Sequence, residues 1–280
     1  MKSKVSVIIP YYNDGRYIAE TLYSIKQQSY PNIEVILVDD GSNDTRSIQI
    51  YKAIQLDNGE KFWQSNSGPS AARNFAITQA TGKYILPLDA DDKIESSYIE
   101  KAVEILEADS RCGIVYCKGA LFGNDGGIWS LPPYSIGRML VSNVIFNSGL
   151  FRKADWKLCG GYDEKLRSGI EDWDFWLSIL SLGRKVYQIP EVLFYYRIKQ
   201  SSRNRQFDKQ MELARSTYFT IQNKHRDLYS KFFNEYLDAS RNELLNQQFE
   251  LQRLKQKQLK TRVGKCFPVL RRLWHEWKYK

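Results

Sequence analysis

Short, wholly apolar runs alternate with longer amphipathic ones along the first half of the chain. VSVIIP (5–10) is a β-branched run closed by proline, IEVILVDDGS (33–42) is a second run that ends in acids and glycine, and KYILPLD (83–89) is a third. Each is short and nearly free of polar residues until its end, which predicts strands buried on both faces. Between them, DGRYIAETLYSIKQQ (14–28) places Ile18, Leu22 and Ile25 at helical spacing, and GPSAARNFAITQATG (68–82) reads as a helix closed by Gly82. ESSYIEKAVEILEADS predicts another helix and CGIVYCKG another strand. This alternation predicts an α/β fold, a mostly parallel sheet with helices on both faces. Such sheets bind ligands at the carboxyl ends of their strands. Here those ends read YYND, DDGS and DADD, and they are expected to meet along one edge.

The pattern then loosens. Residues 123–150 are glycine-rich and aromatic with little periodicity, and read as loops around a site. SGIEDWDFWLSILSLG (168–183) is a helix with Trp173, Trp176, Leu177 and Leu180 on one face, and KVYQIPEVLFYYRI reads as one or two strands. From about residue 205 the chain is helical and poor in glycine. The organisation expected is a domain over 1–204 followed by a helical extension over 205–280.

Charge sharpens this division. The formal net charge is +9, but residues 1–204 carry 24 basic and 24 acidic side chains, and residues 205–250 carry 7 of each. Residues 251–280 carry 10 basic and 1 acidic, so the whole excess sits in the tail. A nucleic-acid enzyme puts its basic face on the main domain, and no nucleic-acid partner is expected. The only histidines, His225 and His275, lie beyond residue 204. A Ser-His-Asp triad and a histidine-ligated zinc are thereby excluded from the main domain, and a carboxylate is the general base expected there. Four cysteines without a C-x-x-C pair read as free thiols in a reducing cytosol. The first apolar run is too short for a signal peptide, and no run is long enough to span a membrane.

Four constellations carry chemistry. Asp89, Asp91 and Asp92 follow the third strand within four positions. Like charges this close need a counter-charge, and carboxylates suit Mg²⁺ or Mn²⁺, often together with substrate phosphates. For Asp92 alone, a cap on the next helix stands as an equal reading. Asp39 and Asp40 follow the second strand, where a carboxylate accepts from a ring N–H or a ribose hydroxyl, or else closes an Asx turn. In NSGPSAARN, Gly68 and Pro69 allow a tight entry, Ser70 can cap the helix, and Arg73 sits one turn in, either near a bound anion or on a solvated face. In GIEDWDFW, Ser168 and Glu171 match a capping box, which leaves Asp172. A carboxylate beside Trp173 in a half-dry cleft suits a general base, because burial raises its pKa.

VSVIIPYYND, VDDGSND, NSGPSAARN, LDADD and EDWDFW, in this order and at these spacings, resemble a family 2 glycosyltransferase of the GT-A fold, a Rossmann-like nucleotide-diphospho-sugar transferase of the kind that builds bacterial capsule and cell-envelope polysaccharide. The resemblance covers residues 4–204. Each motif alone is modest, and five in order are specific. It implies an inverting transferase that uses a nucleotide-sugar, usually UDP-linked, with Mg²⁺ or Mn²⁺, and passes the sugar to a hydroxyl of a glycan or lipid-linked acceptor. By position, Pro10 and Tyr12 would line the base pocket, Asp40 would hold the uracil or its ribose, and Gly68 and Arg73 would approach the nucleotide. Asp89 and Asp91 match the D-x-D element that touches ribose and metal, with Asp92 as an alternative metal contact. Asp172 matches the catalytic base. Trp156, Gly161, Tyr162 and Glu171 would meet the donor sugar or the acceptor. The chain departs from the family after YYRI, where many relatives carry a metal-reaching histidine and this sequence has Lys199. A charged lysine cannot ligate a metal but can pair with a diphosphate. The rival readings are a non-catalytic sugar-nucleotide-binding module and a nucleic-acid binder acting through the tail.

The tail itself, GKCFPVLRRLWHEWKYK (264–280), reads as a helix entered at Pro268. Leu270, Leu273, Trp274 and Trp277 share one face, and basic residues flank it. One reading is an anchor over 263–280 on an anionic membrane, which would make the enzyme cytoplasmic and peripheral on the inner face of the cell membrane. The other is packing on the main domain or on a second copy. Leu237, Leu244 and Leu251 recur every seven residues, a pattern that fits helix pairing in a homodimer.

Overall fold

The computed structural model describes residues 2–124, 126–167, 169–199 and 211–278, with side chains described through Lys257. Strand β1 (Val5–Tyr11) lies between β2 (Ile33–Asp40) and β4 (Tyr84–Pro87), parallel to both, and β3 (Gly59–Gln64) continues the parallel array beyond β2. The predicted double-sided burial holds: Val7, Ile8 and Ile9 on β1 and Leu37 and Val38 on β2 are fully buried. Helices α1 (Ile18–Lys26), α2 (Thr45–Ala53) and α3 (Pro69–Gln79) make the crossovers.

Past β4 the sheet changes character. Its order is β3-β2-β1-β4-β8-β6-β9-β5, with β7 paired to β6. Strand β8 (Leu150–Arg152) is antiparallel to both β4 and β6 (Cys112–Gly123), and β9 (Lys185–Ile198) runs parallel to β6 as one long strand. The short β5 (Lys93–Ile94) closes the edge antiparallel to β9, and helix α4 (Tyr98–Ala108) packs behind. The segment expected as loops holds β7 (Gly127–Trp129), which forms a hairpin with β6, and helix α5 (Ile136–Val141), whose Ser135 caps Arg138 N at 3.2 Å.

Three local expectations are corrected. Helix α3 ends at Gln79, so Gly82 does not close it. Gly82 is instead required because a Cβ there would collide with Ser6 Oγ, where its N–H is bonded. Ser70 does not cap α3, since Gly68, at φ +91°, is the cap and Pro69 takes the first helical position. Helix α7 (Glu171–Ser181) opens at Glu171. Glu171 therefore stands at the first helical position rather than the third that a capping box needs, and Ser168 lies outside the described residues.

Helix α6 (Lys153–Cys159) leads towards α7, and beyond β9 come α8 (Met211–Lys224), α9 (Arg226–Lys231) and α10 (Phe233–Lys278). The first two are fastened to the main domain. Thr217, Ile221 and Leu228 are buried, and Asp174 on α7, fully buried, accepts from Lys224 Nζ at 2.6 Å and pairs with His225 Nε2 at 2.9 Å. Burial alone would raise the Asp174 pKa, but these two partners outweigh it and hold the carboxyl below its usual range. At Gly137 on α5 a Cβ would collide with the Glu235 carbonyl, so the start of α10 lies backbone to backbone on α5. Helix α10 runs unbroken to Lys278, so Pro268 does not open a new helix. The side chains of Leu270, Leu273, Trp274 and Trp277 lie outside the described residues.

Asp174→Ala would strand the buried His225 and leave Lys224 with Asp163 alone. We expect it to cost about 3–5 kcal/mol of stability, the scale for breaking a buried pair, measured by urea denaturation. A loss under about 1 kcal/mol would show that the cluster does not hold α8 and α9.

Candidate active site

The carboxyl ends of β1, β2 and β4 and the start of α7 open onto one cleft of ≈ 880 Å³. The edge predicted from YYND, DDGS and DADD is therefore real. Pro10 and Tyr12 line it from β1 and the turn that follows, and Asp40 from the end of β2. Asp40 is buried and tied to its neighbour loop, accepting from Ser67 N at 2.8 Å, Gly68 N at 2.9 Å and Gln64 Nε2 at 2.7 Å. Asp39 makes the Asx turn, accepting from Ser42 N at 2.9 Å. Gly68, with its positive φ, lies against Asp40 and also lines the cleft.

Beyond β4 the chain turns through Asp89-Ala90-Asp91-Asp92. Thr21 Oγ lies 3.0 Å from Ala90 O and 2.8 Å from Asp92 O, which fixes the turn to α1. The three acids have different partners. Asp89 accepts from Arg73 at 2.8 Å and lies 3.3 Å from Asn147 Nδ2. Asp91 pairs with Lys199 at 2.7 Å. Asp92, buried, accepts from Arg197 N at 2.9 Å on β9, so it does not cap a helix. Burial pushes the Asp91 carboxyl up to about 6, with Lys199 opposing and the charges of Asp14 and Asp89 adding. Burial, with the charges of Asp91 and Asp89 adding, raises the Asp92 carboxyl well above its usual range.

Lys199 completes the cluster. Its ammonium also pairs with Asp14 at 2.7 Å. Burial works against its charge, but Asp91 and Asp14 outweigh that and raise its pKa. At the position where the resemblance offers a histidine, this chain thus places a cation on Asp91 and Asp14. Among the described residues, no three carboxylate, histidine or cysteine side chains converge as a complete metal-ligand set.

Across the cleft stands Asp172, at the second position of α7, half-buried, with Oδ1 accepting from Trp173 N at 2.8 Å. Burial lifts its pKa to about 7, with the charge of Glu171 adding and Arg73 opposing. The helix is entered through Ile170 at φ 57°, a β-branched residue in the left-handed region. Strain of this kind persists only where the surroundings impose it, as they do at functional sites. Glu171, which also lines the cleft, accepts from Arg73 at 2.9 Å. Arg73 is 1% exposed, which rules out the solvated-face reading. It bridges Glu171 and Asp89 and so ties the start of α7 to the turn after β4.

Three expected contacts lie elsewhere. Trp156, Gly161 and Tyr162 do not line the cleft. Trp156 Nε1 donates to Asn74 at 3.0 Å, a Cβ at Gly161 would meet that indole at 2.7 Å, and the Tyr162 ring is buried, stacked 4.0 Å from Phe175. They pack α6 and α7 against α3. The sequence reading also passed over residues that do line the cleft: Asp14, Tyr17, Asn66, Trp129, Asn143, Asn147 and Arg167. Asp14 was within reach, because it ends the quoted YYND. The others sit in stretches whose spacing carries no periodic signal.

Comparison with known proteins agrees with this geometry. The family model "Glycosyl transferase family 2" matches residues 6–159. The chain is 31% identical over 230 residues to the putative teichuronic acid biosynthesis glycosyltransferase TuaG of Bacillus subtilis, covering 80% of this chain and 90% of that one. It is 32% identical over 207 residues to the putative glycosyltransferase EpsE of the same organism, covering 71% of this chain and 74% of that one. Among solved structures, S. aureus TarS 1-349 in complex with UDP-GlcNAc superposes with a TM-score of 0.62 at 20% identity, over 84% of this chain and 79% of that one, a likeness of fold. With five motifs gathered on one cleft, a GT-A sheet beneath them and a family match over more than half its length, the chain belongs to the family 2 glycosyltransferases.

Proposed function

We propose that this glycosyltransferase moves a sugar from a UDP-linked donor to a hydroxyl of a glycan or lipid-linked acceptor in cell-envelope or capsule polysaccharide synthesis, inverting the anomeric centre. The observation that carries it is Asp172: a half-buried carboxylate with its pKa near 7, standing across one cleft from the strand-end acids. The names of the relatives support the substrate class, and the UDP-GlcNAc held by TarS supports the donor.

In this reading the uracil and ribose lie over Pro10, Tyr12 and Asp40, and the diphosphate reaches the D-x-D turn. Asp172 takes the proton from the acceptor hydroxyl as its oxygen bonds to the anomeric carbon, and the bond from that carbon to the diphosphate oxygen breaks on the opposite face. Arg73 holds Asp89 and Glu171 in place rather than meeting the nucleotide directly. Lys199 is placed to transfer its charge from Asp91 to the diphosphate. Seven carboxylates line the cleft (Asp14, Asp40, Asp89, Asp91, Asp92, Glu171 and Asp172) against Arg73, Arg167 and Lys199. This surplus of hard oxygen ligands fits Mg²⁺ or Mn²⁺ on Asp91 and Asp89 with the substrate phosphates completing the set, and Asp92, engaged by Arg197, is the weaker partner. Such an ion, when bound, stabilises the charge on the departing diphosphate.

A binding module without turnover has no use for a carboxylate tuned to pH 7, which favours the enzyme. No described helix is long and apolar enough to cross a membrane. The basic tail over 263–280 fits peripheral contact with an anionic inner membrane face from the cytoplasm, and the exposed Leu237, Leu244 and Leu251 on α10 fit pairing with a second copy.

Asp172→Asn is expected to keep UDP binding within about twofold while cutting turnover by ~10²-fold or more. Asp172 acts as a base only when ionised, so kcat/KM of the wild type should fall as pH drops below about 7. Wild-type turnover in the variant, with an unchanged pH profile, would exclude Asp172. Asp91→Asn should abolish transfer, and EDTA should suppress it reversibly. Full activity in EDTA would leave Lys199 as the partner of the diphosphate.

Removing 263–280 deletes five basic residues, each worth roughly 1 kcal/mol near anionic lipid. Sedimentation with phosphatidylserine or phosphatidylglycerol vesicles should weaken by at least ~10-fold, while turnover on a short soluble acceptor survives. A truncated chain that loses its dimer instead, with no vesicle binding by the full chain, would assign the helix to self-association.

A further inference from the structure

Opposite its nucleotide half, the cleft is walled by stacked aromatic rings. Trp129 stacks on Phe146 at 6.0 Å and 22° and lies 4.9 Å from Tyr196, and Phe146 stacks in turn on Phe194 at 4.3 Å and 24°. All four rings line the cleft, as does Leu131. The sheet order keeps this wall away from the nucleotide. Pro10, Tyr12 and Asp40 leave β1 and β2, whereas Phe194 and Tyr196 stand on β9. Strand β4, whose end carries the acid turn, lies between the two groups.

The wall is built around Trp129. Its cross-strand neighbour on β6 is Gly119, and a Cβ there would stand 3.2 Å from Trp129 Cε3. The absence of a side chain at Gly119 lets the indole lie flat on the sheet, backed by Phe146. Among the described residues, the indole N–H of Trp129 makes no hydrogen bond and is not a buried orphan, and Trp129 lines the cleft. Beside it, Asn147 carries a buried amide oxygen without a partner, and its nitrogen lies 3.3 Å from Asp89.

This is sugar-binding chemistry. A pyranose has a face of C–H groups that packs on an aromatic ring, and a rim of hydroxyls that needs donors and acceptors. A largely apolar wall with a few placed polar groups is the usual make-up of a small-ligand site. The nucleotide half has its own residues, and the residues that the family resemblance offered for the acceptor, Trp156, Gly161 and Tyr162, are packed away beneath. We propose that Trp129, backed by Phe146 and flanked by Tyr196, is the platform on which the acceptor sugar stacks, with the Trp129 N–H and Asn147 amide meeting its hydroxyls and Asp172 receiving the proton of the attacking one. The proposal rests on the transferase reading above.

The test uses the full chain saturated with UDP and a panel of methyl glycosides of common hexoses and N-acetylhexosamines, whose aglycone is too small to stack by itself. Binding is followed by saturation-transfer NMR, and UDP affinity by calorimetry. At least one glycoside should bind the wild type. Trp129→Ala should weaken it by about 10-fold or more, and Trp129→Phe, which keeps a stacking face, should stay within about 3-fold, with UDP affinity unchanged in both. Equal glycoside binding in Trp129→Ala, a parallel loss of UDP affinity, or no glycoside binding to the wild type would each overturn the platform. Failure of UDP itself to bind the wild type would overturn the donor reading instead, so the two failures are distinguishable.

Discussion

The cleft depends on one buried guanidinium. Arg73 is almost fully enclosed and bonds Asp89 at 2.8 Å on one side and Glu171 at 2.9 Å on the other. Burial disfavours its charge, but the two carboxylates outweigh the penalty and raise its pKa. Bridged in this way, the turn after β4 and the first residue of α7 cannot move independently. The turn carries the acids expected to meet the donor, and the next residue of the helix is Asp172. A transferase needs its base and its leaving-group site at a fixed separation, since misplacement by about 1 Å can cost ~10²-fold in rate. Arg73 sets that separation from the middle. Its Nε lacks a partner, so the bridge holds by its two ends.

The same crowding explains why the site tolerates so many acids. Burial holds the Asp92 carboxyl well above its usual range, Asp91 is balanced by Lys199, and Asp89 and Glu171 share Arg73. Burial, with the charge of Glu171 adding and Arg73 opposing, lifts the Asp172 pKa to about 7, the range where it can both accept and release a proton near neutrality. An anionic diphosphate entering this cleft meets a surplus of negative charge. Lys199, held by Asp91 and Asp14, is one of the cations that the described residues place in the cleft.

Much of this was legible in the sequence, for definite reasons. The strands β1, β2 and β4 are buried on both faces, so they appear as unbroken apolar runs, and their polar ends mark the cleft. Asp89, Asp91 and Asp92 stood out because like charges that close need a counter-charge, and Asp172 because the capping box left it unexplained. What escaped was non-local. Nothing in NSGPSAARN shows that Arg73 reaches Glu171, 98 positions away. Trp129 reads as one aromatic among many until β7 is paired with β6, and Trp156 and Tyr162 look like binding residues until they are found packed against Asn74 and Phe175. Strand β8 was missed because three residues carry too little pattern to recognise.

The helical extension belongs to the same mechanical unit. Helix α7 presents Asp172 to the cleft and, two residues on, Asp174 to the opposite side, where Lys224 and His225 grip it from the end of α8. Residues two apart on a helix point about 160° away from each other when each turn takes 3.6 residues. One turn of α7 is thus anchored on both flanks, by Arg73 through Glu171 and by the extension through Asp174, with the base between them. The apparent appendage after residue 204 therefore helps to fix the position of Asp172. What remains of α10 beyond its contact with α5 is free of that duty, and that is the part of the chain in which the basic charge is concentrated.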